Sequence, residues 1–246
     1  VLLKFNMNNI VIKLFLFLFL FQNLINAQSL ENKNVLVIYQ LDPYHSPKLF
    51  VKRVVSWLEV QKAHVIVSNN LNSYSNKELM DSIDLVIQTV TMGSLNSAQE
   101  KGLTNAIKSG TGIAGSHGGL ADSFRNNTLY QFMIGGQFVS HPGGNVNYTV
   151  EFTKPKNDLT KNIKNFNLNS EQYYMHVDPY INILATTKFS GKEFPWIKDQ
   201  EIPVCWTKNF GKGKVFYLSI GHSPDNFDIP EVWELLTRGF KWASKN

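Results

Sequence analysis

The chain of 246 residues contains one cysteine, Cys205. No intrachain disulfide can form, and cysteine-based zinc centres and paired-thiol redox sites are excluded. Charge is sparse, with Asp, Glu, Lys and Arg at 17%. The formal net charge of +5 is spread along the chain rather than gathered in a stripe, so nucleic acid is not expected as a partner. There is no close-spaced histidine pair such as H-E-x-x-H, so any metal site must be assembled from distant loops. Linker-like stretches and internal repeats are also missing. Apolar residues make up 43%, enough for a sizeable core and too many for a disordered chain.

One long apolar run is present, LFLFLFLF at 14–21. It falls short of the roughly 20 residues that span a bilayer, so no stable membrane anchor is expected. A basic, polar flank from Met7 to Lys13 precedes it, and the small residue Ala27 follows it. That pattern describes a secretory signal peptide over 1–27, with Met7 a candidate true start and Gln28 the first mature residue. The expectation is an exported protein, periplasmic or extracellular, with one domain over 28–246.

From residue 34 onward strand and helix signals alternate. Residues 35–39 are continuously apolar, as in a strand covered on both faces. Residues 47–61 carry Leu49, Val51, Val54, Val55 and Leu58 at helical spacing. Further strands are expected at 65–67, 85–87 and 111–116, with helices near 76–81 and over 97–109. Ser75 with Glu78 and Ser97 with Glu100 have capping-box spacing. Strands separated by helices imply a parallel sheet with right-handed crossovers, and its ligands bind beyond the carboxyl ends of the strands. The later half reads as strands at 146–152 and 181–186, a hairpin at 204–208 and 215–220, and a closing helix at 229–243. Trp57, Trp206, Trp233 and Trp242 lie on regular elements and are expected in the core.

Five of the six histidines fall in loops or at strand ends. His117 is followed by Gly118 and Gly119, which permit a sharp turn and a close ligand. His141 is fixed by Pro142, and His222 ends a strand. Each suits a general base or a metal ligand, because neutral imidazole serves both roles near pH 7. Each also suits a histidine that merely bonds a backbone group. His45 lacks a glycine frame and reads more simply as that second kind, and His64 as structural. Asp122 either caps a helix or holds a substrate hydroxyl. The cluster EQYYMHVD at 171–178 contains Glu171, Tyr173 and His176. Carboxylate, phenol and imidazole together suit a polyhydroxylated ligand; the alternative is a loop whose tyrosines are core residues.

These stretches resemble the ThuA-like family, named for trehalose utilisation, within the class I glutamine amidotransferase-like superfamily. The matches are GIAGSHGG at 112–119, GGQFVSHP at 135–142, EQYYMHVDP at 171–179, PVCWT at 203–207, GKGKVFY at 211–217, and GH at 221–222 followed by RGFKWA at 238–243. The resemblance implies a flavodoxin-like three-layer α/β/α sandwich with a mostly parallel sheet. True amidotransferases carry a cysteine nucleophile at the strand-to-helix elbow. Here His117 occupies that position, with Ser116 beside it, and His222 resembles their later catalytic histidine. Thiol-dependent glutaminase chemistry is therefore not expected.

What the resemblance implies about function is action on a carbohydrate, notably a disaccharide or its keto derivative. His117, His141 and His222 would be catalytic. Glu171, Tyr173, His176, Asp122, Gly118 and Gly119 would bind substrate. A divalent metal, if used, would draw on His117, His141, His222 and Glu171. The alternative is a non-catalytic carbohydrate-binding protein on the same scaffold. The sequence leaves oligomeric state open.

Overall fold

A computed structural model describes residues 29–245; the expected signal segment lies outside them. A nine-stranded mixed sheet is ordered β2-β1-β3-β4-β11-β10-β9-β6-β7. Its parallel half comprises β1 (Asn34–Tyr39), β2 (His64–Ser68), β3 (Leu85–Thr89), β4 (Gly112–Ser116) and β11 (Gly213–Leu218). The other half is antiparallel: β10 (Glu201–Phe210), β9 (Asn182–Lys188), β6 (Asn145–Phe152) and β7 (Phe166–Glu171). The short strands β5 (Gly136–Ser140) and β8 (Tyr174–Val177) pair separately.

The apolar run of β1 splits across the sheet. Val35 and Val37 join one core, Leu36 and Ile38 the other, so both faces must be covered. Helices α1 (Pro47–Val60) and α6 (Pro230–Ala243) pack into the first core. Helices α2 (Lys77–Ser82), α3 (Ser97–Ser109) and α5 (Thr128–Ile134) contribute to the second. The one-turn helix α4 (Gly118–Ala121) follows β4 directly. In α6, Val232, Leu235, Leu236 and Phe240 are fully buried, as their spacing predicts. Gly239 lets the Phe216 ring approach to 2.3 Å of where a Cβ would stand.

Both expected caps shift by one residue. Asn76, not Ser75, caps α2, its side chain accepting from Leu79 N. Asn96 and Gln99, not Ser97 and Glu100, form the reciprocal box of α3. An amide oxygen satisfies the orphan N–H as well as a hydroxyl does, so serine-based spacing picked the neighbour. Of the four tryptophans on regular elements, only Trp206 is fully buried, donating to Ile134 O at 2.9 Å. Trp57, Trp233 and Trp242 are partly buried against the first core.

Candidate functional site

Because β1, β3, β4 and β11 run parallel, their carboxyl ends share one edge. The loops leaving them carry Asp42 and His45, Thr91, His117, and His222 respectively. From the antiparallel half, β7 ends at Glu171 and Tyr173 follows. The chemistry therefore assembles where the two halves of the sheet meet.

His117 stands at the elbow with φ 51° and ψ −141°, a conformation that a residue with a Cβ adopts only under tertiary constraint. Its N–H donates to Leu218 O at 2.7 Å. Behind it, Gln88 Nε2 donates to Gly119 O and to Tyr130 Oη, fixing α4 to β3. A Cβ on Gly119 would stand 2.8 Å from Thr89 Oγ1, and one on Gly118 would stand 3.3 Å from the His45 ring. These glycines give α4 the room to pack against the two loops.

The His117 Nδ1–H donates to Ser219 O at 2.8 Å. With that proton placed, neutral His117 presents a lone pair at Nε2. Tyr173 Oη lies 2.7 Å from Nε2, and its ring stacks on the imidazole at 4.1 Å. Glu171 Oε2 lies 3.1 Å from the same Nε2. His222 Nδ1, buried and without a hydrogen bond, is 3.3 Å from that same oxygen. His45 closes the group, with Nδ1 at 2.9 Å from Asp42 Oδ1. The Asp42 carboxylate only accepts, so it holds the proton on Nδ1 and frees Nε2. One ligand atom each from His45, His117, Glu171 and His222 fall within 4.8 Å of one another.

Burial is the main influence on His117, which is 2% exposed. It lowers the imidazole pKa to about 4, against the opposing pull of Glu171. Burial alone would raise Glu171, but the imidazoles gathered around it, His117 first and then His222 and His141, outweigh it and hold the carboxyl below its ordinary value. At neutral pH the centre therefore pairs an ionised carboxylate with an uncharged imidazole. Two acceptors, Glu171 Oε2 and His117 Nε2, then face each other. The Tyr173 hydroxyl can donate to Nε2 and relieve that side, and a cation between the two acceptors would relieve both. Burial also raises Tyr173 well above its ordinary value, which keeps the phenol protonated and able to donate.

The remaining residues named from sequence sit variously. His141 is half-exposed, its Nε2 3.6 Å from Glu171 Oε1 on the far side of the carboxylate. It lines a mouth of about 640 Å³ together with Tyr44, Asp122, Arg125, Phe138 and Tyr173. Asp122 is held by Arg125 through two bonds, Nε to Oδ1 at 2.5 Å and Nη2 to Oδ2 at 2.7 Å. It caps no following helix; Asn127 caps α5. His176 is exposed on β8 and lines neither the mouth nor the inner recess. Ser116 is buried and lines that small recess behind His117. Cys205 is buried in β10, and burial raises its thiol well above the usual range. His45 belongs to the cluster, contrary to its simpler reading as structural. The signal was Asp42 three residues earlier, a spacing that has meaning only once both leave the same strand end.

The family model ThuA, described as trehalose utilisation, matches residues 34–243. A ThuA-like protein from Bacteroides uniformis superposes with a TM-score of 0.70 at 18% identity, covering 87% of this chain and 91% of that one. One from Parabacteroides merdae gives 0.71 at 14%, covering 87% and 90%. A cytoplasmic protein from Salmonella typhimurium gives 0.60 at 10%, covering 87% and 100%. At these identities the likeness is one of fold. No curated protein matches the chain.

Proposed function

The chain belongs to the ThuA family, trehalose utilisation, and we propose that it acts on a disaccharide or its keto derivative through the histidine–carboxylate pocket. The observation that carries this is the meeting of His45, His117, Glu171 and His222 at the carboxyl edge of the parallel strands. Three imidazoles and one carboxylate suit a divalent transition metal. The Asp42 carboxylate and the Ser219 carbonyl orient two of the imidazoles from behind, as outer partners of metal-ligating histidines do. When bound, such an ion polarises a carbonyl or lowers the pKa of water.

The chain's own groups supply the rest. His141, half-exposed and beside Glu171, is placed to take or give a proton at the mouth. Tyr173 donates a hydrogen bond from the pocket wall. Arg125, fixed by Asp122, offers its remaining N–H groups to hydroxyls. Proton transfer at a carbon beside a sugar carbonyl, or to a glycosidic leaving group, needs bases near neutrality rather than a strong nucleophile. The buried, protonated Cys205 supports a pocket that works without thiol chemistry. Helices on both faces of the sheet support the flavodoxin-like three-layer reading of the amidotransferase-like type. The N-terminal basic flank, apolar run and Ala27 support export to the periplasm or medium, and among the described residues no helix is long and apolar enough to cross a membrane.

Elemental analysis of the purified chain, paired with thermal shifts against disaccharides and their 3-keto forms, tests the reading. The expected result is near-stoichiometric divalent metal, lost in His117→Ala, and a rise in melting temperature with a sugar. Absence of both metal and shift would overturn it.

A further inference from the structure

A second cleft adjoins the pocket, and no step proposed above uses it. β6 pairs with β9 only through Glu151 and Phe152. Toward Asn145 the two strands separate, and the gap opens into a cleft of about 600 Å³. Its floor is an amide-rich face of the β6–β7 pair. Asn145, Asn147 and Thr149 on β6 stand opposite Glu171, Asn169 and Asn167 on β7. Side chains alternate along a strand, so Asn167, Asn169 and Glu171 share one face. The row of amides thus runs directly into the carboxylate of the histidine cluster. The loop that bears His141 reaches the cleft through Pro142.

The floor is ordered before any ligand arrives. Asn169 Nδ2 donates to Asn147 Oδ1 at 2.9 Å. Gln172 is buried, with Nε2 donating to Thr187 Oγ1 at 2.8 Å. The far wall is the loop over 189–197, where Phe194 lines the cleft and stacks on Trp196 at 4.9 Å between centroids. Trp196, 76% exposed and outside the cleft lining, backs the Phe194 ring by that stacking. Charge in the cleft is balanced, Lys188 and Lys192 against Glu151 and Glu193, which disfavours a strongly ionic ligand. Fixed amides that pair with hydroxyls, beside an exposed aromatic face that packs on C–H surfaces, suit a neutral sugar ring.

We propose that this cleft binds the second ring of a disaccharide whose first ring lies at Glu171 and the histidines. The proposal rests on the carbohydrate reading of that pocket, and it makes the β6–β7 face and the Phe194 loop the determinants of substrate length. Isothermal titration of the full chain with glucose, trehalose, maltose and cellobiose tests it, using wild type, Asn169→Ala and Phe194→Ala. Both substitutions are at the surface, so circular dichroism should show unchanged folding. The expected result is a disaccharide affinity about tenfold weaker in each variant, with glucose affinity unchanged. Unchanged disaccharide affinity in both variants overturns the cleft while leaving the pocket reading intact. Wild-type protein that binds none of the four sugars, nor their 3-keto forms, overturns both.

Discussion

The two halves of the sheet differ in strand direction, one parallel and the other antiparallel, and they differ in what they offer. The parallel half is apolar on both faces and delivers chemistry only at its carboxyl edge. His45, His117 and His222 leave three of its strands there, each within a few residues of the strand end. The antiparallel half leaves part of one face open, and that face is polar. It supplies the one carboxylate of the cluster, Glu171, and the phenol of Tyr173. Neither half is sufficient. The parallel half brings three imidazoles able to ligate a cation, and the antiparallel half brings the negative charge that makes such a cation favourable.

The sharpest way to break this pairing is Glu171→Gln. It keeps the shape and removes the only contribution of the antiparallel half to the four-residue cluster. Turnover on a keto-disaccharide should fall by roughly 10²–10⁴-fold, and bound metal measured by elemental analysis should be lost. Retained metal and turnover would mean that the parallel half is sufficient by itself.

Gly112→Ala attacks the other side. A Cβ there would stand 1.9 Å from the Ala243 carbonyl oxygen, so β4 and the end of α6 must separate. A loss of about 3 kcal/mol or more is expected in denaturant melts, because backbone rather than a pliable side chain blocks the space.

The pH dependence of the chelator-treated protein sharpens the comparison further. Folded His117 resists protonation down to about pH 4, whereas the unfolded side chain takes its proton near 6.5. Between those values the unfolded state binds more protons, so stability falls as pH drops through the window. The loss is on the order of 3 kcal/mol. His117→Asn should flatten that slope, as followed by urea melts at several pH values.

Asp42→Asn leaves all four cluster residues in place and removes the carboxylate behind His45. Metal affinity should weaken by about 10–100-fold, measured by competition with a chelator. The smallest effect belongs to the exposed pair of Arg53 and Asp228 at 2.6 Å. Asp228→Asn should cost under about 1 kcal/mol and less in high salt.

Much of the parallel half is legible in the amino-acid sequence. Continuous apolar runs at 35–39 and 85–87, with helical spacing between them, specify buried strands joined by crossovers, and such a sheet gathers its loops at one edge. His45 and His117 could be placed there from order alone, though only His117 read as a functional group. The antiparallel half was harder. β7 reads FNLNSE, an alternation of apolar with asparagine and serine, and asparagines suggest a loop until a partner strand is known. Three of the four cluster residues were visible: Glu171, His117 and His222 stood out by company, His45 did not, and His176 stood out although it faces solvent.

The sequence by itself determined the family, the alternating α/β order of the first half, and the presence of imidazoles where a thiol would otherwise stand. Local patterning is enough for that, since burial period and turn chemistry are written within a few residues. Only the tertiary structure decided which imidazoles meet Glu171 and which tautomers they hold. Those depend on contacts such as Ser219 O to His117 and Asp42 to His45. The splay between β6 and β9 was likewise decided there, because a strand's register against a distant neighbour follows from packing that no short stretch encodes.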